Sequence, residues 1–506
     1  MSHGCWWCEI DRGDEGHARA RAEARRRASV SPSHLPGEPL APRTLTNIYL
    51  DTPDHRLAVA GVTLRRRVEG RKSLWQLKLP QGKARLELEL PGDANGTGRR
   101  RSREGRTQAD VPPAQMVDLV AVWARGAPLV PVATLRSRRQ GVLVRDARGP
   151  VAEVVLDSVQ VLSGPSAVKR FREIEVELTG GDEADLERLE QALRAAGATD
   201  GDGRPKLLRA LDIEPAPPPE PTPPEAPAVE QLRAMIEAQV RQIIANDPGT
   251  RLGQDPEPLH QMRVACRRLR TLLREAGSML VPEWVEPLRE EIGWLGDELG
   301  AVRDLDVLRQ HLSDEIAALD PADARGGVVL IRALEAERDG KREKLLAALR
   351  SERYFKLLGA LEEAARKPQI ADPDVSLEDV ARDAFKRLRK AVRRLGDEPS
   401  DEALHEVRIK AKRARYAAEL VAPAGDKLVE RFIERAKEFQ DVLGEYQDAV
   451  VARERIRALA ACRRGAASAF VAGRLLERQV ARRAEILRQF PKRWRKLEKR
   501  GLKAWR

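Results

Sequence analysis

At 506 residues the chain is too long for one ordinary core, so several domains or subdomains are expected. Hydrophobic residues make up 42% and charged residues 34%, with few aromatics, a balance that suits amphipathic helices with heavily charged outer faces. The net charge of +12 favours an anionic partner, and no apolar run approaches the roughly 18 residues of a membrane span. Four scattered cysteines, Cys5, Cys8, Cys266 and Cys462, are too few for a disulfide framework; with no signal-peptide core at the N-terminus, a reducing, cytoplasmic location is expected. The pair Cys5 and Cys8 has half of a zinc-ribbon spacing without a second pair, so no zinc site is expected there. Residues 1–43 carry no alternating pattern and read as a degenerate or disordered, basic N-terminal stretch.

Short alternating runs follow from residue 44 to 212: LWQLKL at 74–79, RLELEL at 85–90, VAEVVLD at 151–157 and FREIEVEL at 171–178. Period-two patterning predicts β-strands. One face of these strands is charged: Arg65 with Arg67, Glu87 with Glu89, Arg136 with Arg138, Glu153 with Asp157, and Glu173, Glu175 and Glu177 together. The alternate positions, such as Leu86, Leu88, Ile174 and Val176, are apolar. A solvated sheet face explains such stripes, and so does a closed antiparallel barrel whose polar lumen gathers both signs around a charged ligand. DTPD at 51–54 is a turn signal, and RRRSREGR at 99–106 reads as a solvated loop.

The wording and order of these strands, LTNIYLDTPDHRLAVAGVTLRRR, LWQLKLP, RLELEL, LRSRRQ, AEVVLDSV and REIEVEL, with Lys206 in RPKLLRAL, resemble the CYTH family of triphosphate tunnel metalloenzymes over Leu45 to Leu211. That resemblance implies an antiparallel β-barrel, a triphosphate substrate and a divalent metal, Mg²⁺ or Mn²⁺. It implies phosphate binding by Arg65, Arg67, Lys78, Arg136, Arg138 and Lys206. The metal ligands or water positioners would be Glu87, Glu89, Glu153, Asp157, Glu173, Glu175 and Glu177, and the catalytic candidates Glu173, Glu175 and Lys78. One departure stands out: the family's first strand carries E-x-E-x-K, and nothing before Thr44 has that alternation; the nearest text, CEIDRGDEG, offers Glu9 and Asp11 without the lysine. Two readings follow, a damaged reading frame or start, or a tunnel that binds phosphate and has lost catalysis.

PAPPPEPTPPEAPA, within 213–228, is a proline-rich spacer. Beyond it, residues 229–506 hold 56 Lys and Arg against 47 Asp and Glu, and apolar residues recur every three or four positions, as at 229–245, 259–280 and 471–490. That half reads as all-α. It also contains a repeat. LHQMRVACRRLR at 259–270 is answered by LHEVRIKAKRAR at 404–415, and LGAVRDLDV at 299–307 by LGEYQDAVV at 443–451. On a helix, His260, Arg263, Arg267, Arg270 and Arg274 fall within one arc opposite Leu259, Met262, Cys266, Leu269 and Leu273. In the second copy His405, Arg408, Lys412 and Arg415 make the same stripe. Like charges so spaced repel, so acidic neighbours or an anionic ligand must offset them.

The duplicated ladder H-x-x-R-x-x-x-R/K-R-x-R with LGAVRDLDV resembles the CHAD family, helical domains of two four-helix bundles that bind inorganic polyphosphate. It implies polyphosphate binding by His260, Arg263, Arg267, Arg270, His405, Arg408, Lys412 and Arg415, with Arg303, Asp304 and Asp306 bracing helices. The tail PKRWRKLEKRGLKAWR reads as a solvated helix end, with a nucleic-acid contact through Trp494 and Trp505 as the alternative. The expectation is therefore an α+β two-module chain. Its tunnel would hydrolyse inorganic triphosphate or short polyphosphate, and its helical module would hold longer polyphosphate. The alternative is a catalytically impaired polyphosphate-binding protein directed to polyphosphate granules; the ladders do not require nucleic acid.

Overall fold

The computed structural model describes residues 23–27, 37–81, 84–92, 111–201, 204–214, 220–396, 398–422, 425–461 and 465–505. The chain divides into two compact units after Pro219, inside the proline-rich spacer. Cys5, Cys8, Glu9, Asp11, Cys462 and the RRRSREGR segment lie outside the described residues.

The first unit is built on β1 (Glu23–Arg27), β2 (Glu38–Asp51), β3 (Thr63–Glu69), β4 (Lys72–Gln81), β5 (Ala84–Pro91), β6 (Val130–Asp146), β7 (Gly149–Ser163), β8 (Ser166–Leu178) and β9 (Thr199–Asp200). They form one antiparallel sheet in the order β5-β4-β3-β2-β6-β7-β8-β1-β9. Two expectations are corrected. Among the described residues no ladder joins β5 to β1 or β9, so the sheet is curled but open rather than a closed barrel. The stretch before residue 44 is also not without strands, because β2 begins at Glu38 and β1 pairs with both β8 and β9. β1 reads Glu-Ala-Arg-Arg-Arg, with a single glutamate and no period-two apolar signal to announce it. Its register supplies the order the sequence conceals: Glu23 stands opposite Glu177 and Arg25 opposite Glu175.

Among the described residues five helices complete this unit: α1 (Arg56–Val59), α2 (Ala114–Leu119), α3 (Ala121–Ala124), α4 (Glu183–Ala195) and α5 (Lys206–Leu211). The turn after β2 is made as DTPD foretells. The buried Asp51 carboxylate accepts the backbone N–H groups of Thr52, Leu57 and Ala58 and so caps α1. On the convex face of the sheet, Val154, Leu156, Ile174 and Val176 pack under Leu189 and Leu193 of α4. One end of the concave face is closed by Leu207 and Leu208 of α5 against Tyr49, Leu135, Val159 and Val161. The charged positions occupy the rest.

The second unit is helical: α6 (Ala228–Leu252), α7 (Pro256–Glu275), α8 (Pro282–Ala317), α9 (Pro321–Ala324), α10 (Val328–Leu349), α11 (Glu352–Arg366), α12 (Leu377–Arg393), α13 (Asp401–Val421), α14 (Lys427–Ala461) and α15 (Ala466–Ala504). The repeat is visible as α7 matching α13 and α8 matching α14. Each copy forms its own bundle, α6, α7, α8, α10 and α11 in one and α12, α13, α14 and α15 in the other, and the two bundles meet. The C-terminal halves of α8 and α14 extend into a shared core with α10 and the start of α15, where Leu312, Leu330, Leu334, Ile456, Val471 and Leu475 are fully or almost fully buried. At the other side of the first copy, a buried Asp247 joins three helices: it takes Arg251 at 2.6 Å and the Tyr354 hydroxyl at 2.8 Å, while Arg251 donates to the Leu349 carbonyl. Burial of this pair is tolerated because its polar atoms find partners.

Candidate functional site

Antiparallel register decides which side chains share the concave face. Lys78 pairs with Thr63 and Glu87, Gln76 with Arg65 and Glu89, Asn47 with Arg67 and Leu135, and Arg139 with Asp157, which stands opposite Glu173. The curl brings both ends of this set around one cleft. It is lined by Tyr49, Thr63, Arg65, Arg67, Gln76, Lys78, Glu87, Glu89, Arg139, Glu175, Glu177 and Lys206, with a cavity of about 140 Å³, room for several waters rather than one.

Within the cleft, opposite charges are largely matched. Lys78 Nζ is 2.6 Å from Glu87 Oε1, and Gln76 bridges Arg65, at 2.8 Å, to Glu89. Arg65 also donates to the Tyr49 hydroxyl at 3.0 Å. At the far wall Lys206 Nζ touches three carboxylates, Asp157 at 2.6 Å, Glu175 at 2.8 Å and Glu173 at 2.9 Å. Arg139 makes a two-pronged contact with Asp157 at 2.9 and 2.6 Å and reaches Glu175 at 2.6 Å. Arg209 holds the other Glu173 oxygen at 2.9 Å while lying over the Phe171 ring. Burial opposes the charge on Asp157, but Arg139 and Lys206 outweigh it and hold the carboxyl below its usual range. The reverse balance holds at Arg67, which burial, then Arg65 and Arg139, push down to about 10. An anion beside Arg67 would relieve that crowding.

Oxygens of Asp157, Glu173 and Glu175 lie within 4.8 Å of one another, a grouping of hard donors that could hold a divalent cation. Asp157 and Glu173 are buried just behind the cleft, and Glu175 opens into it.

The second unit gathers charge differently. α7 and α13 lie side by side, and their stripes meet: Arg263 and Arg267 act on Arg408 and Lys412 across the gap. Arg263 reaches Asp304 of α8 at 3.0 Å, His405 reaches Gln447 at 3.0 Å, and Arg415 pairs with Glu419 on its own helix. Among the described residues, Arg267, Arg270, Arg408 and Lys412 have no hydrogen bond or ion pair. Burial first, then Arg408, Arg267, Arg263 and Arg415, push Lys412 down to about 7. Burial and Arg303, with Arg267 and Arg263, also lower His260. Gly300 and Gly293 of α8 let Arg263 and Arg270 lie flat against the helix, since a Cβ at either would stand 3.1 Å from a guanidinium atom. Asp306 is a brace, held by Arg338 of α10 at 2.9 Å.

A profile of the CYTH domain matches residues 18–205 and one of the CHAD domain residues 234–457. Uncharacterized protein Rv2226 of Mycobacterium tuberculosis is 36% identical over 496 residues, covering 91% of each chain. The chain belongs to this CYTH–CHAD family. Similar solved structures include PptA from Streptomyces chartreusis, 23% identical with a TM-score of 0.47, covering 53% of this chain and 100% of that one. The CHAD domain from the plant Ricinus communis is 31% identical with a TM-score of 0.43, covering 53% and 91%.

In the CYTH domain the cleft gathers Arg65, Arg67, Lys78, Lys206, Glu87, Glu89, Glu175 and Glu177, with Asp157 and Glu173 behind them. It does not gather Arg136 and Arg138. Both are exposed on the opposite face of β6, because Leu135 and Ser137 of the other parity are buried on the concave side. Arg139 is the inward arginine. Alternation in LRSRRQ separates the two sets without saying which faces inward. Glu153 shares the parity of Asp157 but stands four residues along β7, opposite Glu177, outside the cleft lining. Gln76 and Tyr49 also escaped notice, although Gln76 sits two residues from Lys78 and so on its face. In the CHAD domain, Trp494 packs on Phe439 and Trp505 on Phe432, so the tail's indoles serve the core rather than bases.

Proposed function

We propose that the CYTH domain binds inorganic triphosphate or the end of a short polyphosphate and hydrolyses a phosphoanhydride bond with a divalent metal, Mg²⁺ or Mn²⁺. We propose equally that the CHAD domain holds polyphosphate between α7 and α13. The observation that carries the first reading is the convergence of Arg65, Arg67, Lys78, Arg139 and Lys206 with a carboxylate set in one curled sheet. Arg65 and Arg67 would bind phosphate oxygens through fixed N–H groups, and Lys78 and Arg139 would flank the chain. A cation held by Asp157, Glu173 and Glu175 would neutralise phosphate charge and polarise the attacked phosphorus. Glu175, at the cleft surface, would orient the water, and Lys206 holds its carboxylate in the empty cleft. Glu87, Glu89 and Glu177 would balance the remaining cations; Arg136, Arg138 and Glu153 have no contact role in this arrangement.

The test is phosphate release from tripolyphosphate with Mg²⁺ or Mn²⁺, using the full chain and Glu175→Gln as control. Release no faster than the control would leave a binding protein. That second reading has its own support: the wall carboxylates are matched by Lys206, Arg139 and Arg209, and β1 sets Arg25, not a glutamate, opposite Glu175.

For the CHAD domain, the carrying observation is the row Arg267, Arg270, Arg408 and Lys412, which among the described residues make no hydrogen bond or ion pair, although Asp448 and Asp304 attract Arg408. His260, Arg263, His405 and Arg415 extend it along two helices, giving a track about 15 Å long on each. A linear anion of closely spaced phosphates fits such a track. The protein would work in the cytoplasm, at polyphosphate granules. Polyphosphate retention by the full chain, competed by excess double-stranded DNA, checks it; equal competition by DNA would defeat the polyphosphate reading.

A further inference from the structure

The wall of the CYTH cleft poses a problem of space and charge. Lys206 Nζ is 2.6–2.9 Å from one oxygen on each of Asp157, Glu173 and Glu175. The lysine therefore fills the volume that a cation shared by the same carboxylates would need. Asp157, Glu173 and Glu175 are matched in number by Lys206, Arg139 and Arg209, so among the described residues these three carboxylates offer no surplus negative charge to draw in a divalent ion. The Lys206 side chain is only 10% exposed, and leaving its carboxylates for an apolar surrounding would strand a buried ammonium. One other direction is open to it, because Lys206 also lines the cleft, where phosphate oxygens would lie.

We propose that Lys206 is a transferable internal counter-cation: it holds Asp157, Glu173 and Glu175 in the empty cleft and moves to a phosphate oxygen when triphosphate enters, so that metal and triphosphate each bind more tightly in the presence of the other. The inference rests on the metal-dependent reading above. It follows from electrostatics: triphosphate alone adds negative charge to a balanced wall, metal alone competes with Lys206, and each ligand offsets part of the charge that opposes the other. Coupling of this kind is reciprocal, so each ligand must strengthen the other by the same factor.

The experiment is calorimetric titration of the full chain with Mn²⁺, alone and with imidotriphosphate present, corrected for Mn²⁺ chelated in solution. Wild type is expected to bind free Mn²⁺ about tenfold or more tightly with imidotriphosphate than without it. Lys206→Met should bind Mn²⁺ alone about tenfold better than wild type and lose the coupling, while Lys206→Arg, which keeps the charge, should keep the coupling. Wild-type affinity for Mn²⁺ that is the same with and without imidotriphosphate overturns the inference, and this arm does not depend on any variant folding. Absence of Mn²⁺ binding in every protein and condition would instead defeat the metal-dependent reading itself.

Discussion

The CYTH cleft and the CHAD groove are both rich in arginine and lysine, yet they treat charge in opposite ways. In the cleft nearly every cation meets a carboxylate or amide of the protein, so an incoming anion would have to exchange one partner for another. In the groove Arg267, Arg270, Arg408 and Lys412 make no hydrogen bond or ion pair among the described residues, and Arg267, Arg408 and Lys412 crowd one another with only Asp448 and Asp304 in partial relief. The first arrangement costs reorganisation and rewards one geometry, which suits a site for chemistry. The second is a cationic surface that, on the proposed reading, would be indifferent to the end of the chain it holds. Sheet and helix explain the contrast. Neighbouring strands bring residues of both signs into register, as with Lys78 and Glu87, whereas a single helix face repeats one sign at every turn.

This comparison can be broken in four ways. Arg65→Ala removes the guanidinium that Gln76 and Tyr49 aim into the cleft, and phosphate release from tripolyphosphate should fall on the order of a hundredfold in steady-state assays. Retention of polyphosphate by the same variant should be unchanged, since the groove is intact.

Arg267→Ala combined with Lys412→Ala should weaken long-chain polyphosphate binding about tenfold and flatten its salt dependence between about 50 and about 200 mM. Tripolyphosphate turnover is expected to stay at the wild-type rate; a joint loss would mean that the two sites are not separate in function.

A smaller, few-fold effect should come from pH. Lys412 titrates near 7, so groove affinity should decline as pH rises from about 6 to about 8, with His260 adding strength only at the acidic end. The stability of the unliganded domain should move the other way. A base with a lowered folded pKa binds fewer protons folded than unfolded, so this lysine's contribution rises between pH 7 and its ordinary 10.5. Polyphosphate binding across the first range and thermal melting across the second check both signs, and Lys412→Met should remove the melting slope and leave only the share of the binding slope that His260 supplies.

The least effect is expected from Arg136→Ala with Arg138→Ala. These side chains sit on the solvent face of β6, and neither turnover nor binding should change. A loss of turnover would return them to the cleft and displace Arg139 from the role assigned to it.

Much of the molecule was legible beforehand, for reasons that differ along the chain. The helical ladders were read accurately because a helix fixes the angle between residues three and four apart whatever else surrounds it. The strands of FREIEVEL and RLELEL were equally plain, since apolar and charged residues alternate without interruption. β1 was missed because Glu-Ala-Arg-Arg-Arg alternates nothing; it is a strand because β8 and β9 flank it. The shared core of α8, α10, α14 and α15 was also beyond reach, because a repeat shows which segments are alike and not which copies interlock.

The sequence by itself determined the two modules, the spacer between them, the paired cationic stripes and the kinds of charge each strand carries. Those properties are local: they follow from the periods of strand and helix and from proline's fixed backbone. Only the tertiary structure decided that the sheet is open, that Arg139 and not Arg136 or Arg138 faces the carboxylates, and that Lys206 sits among Asp157, Glu173 and Glu175. Lys206 lies 31 or more residues from these partners, and no period links positions so far apart. What joins them is the register of β6, β7 and β8 and the packing of α5 on the concave face, where a buried ammonium must find carboxylates and does.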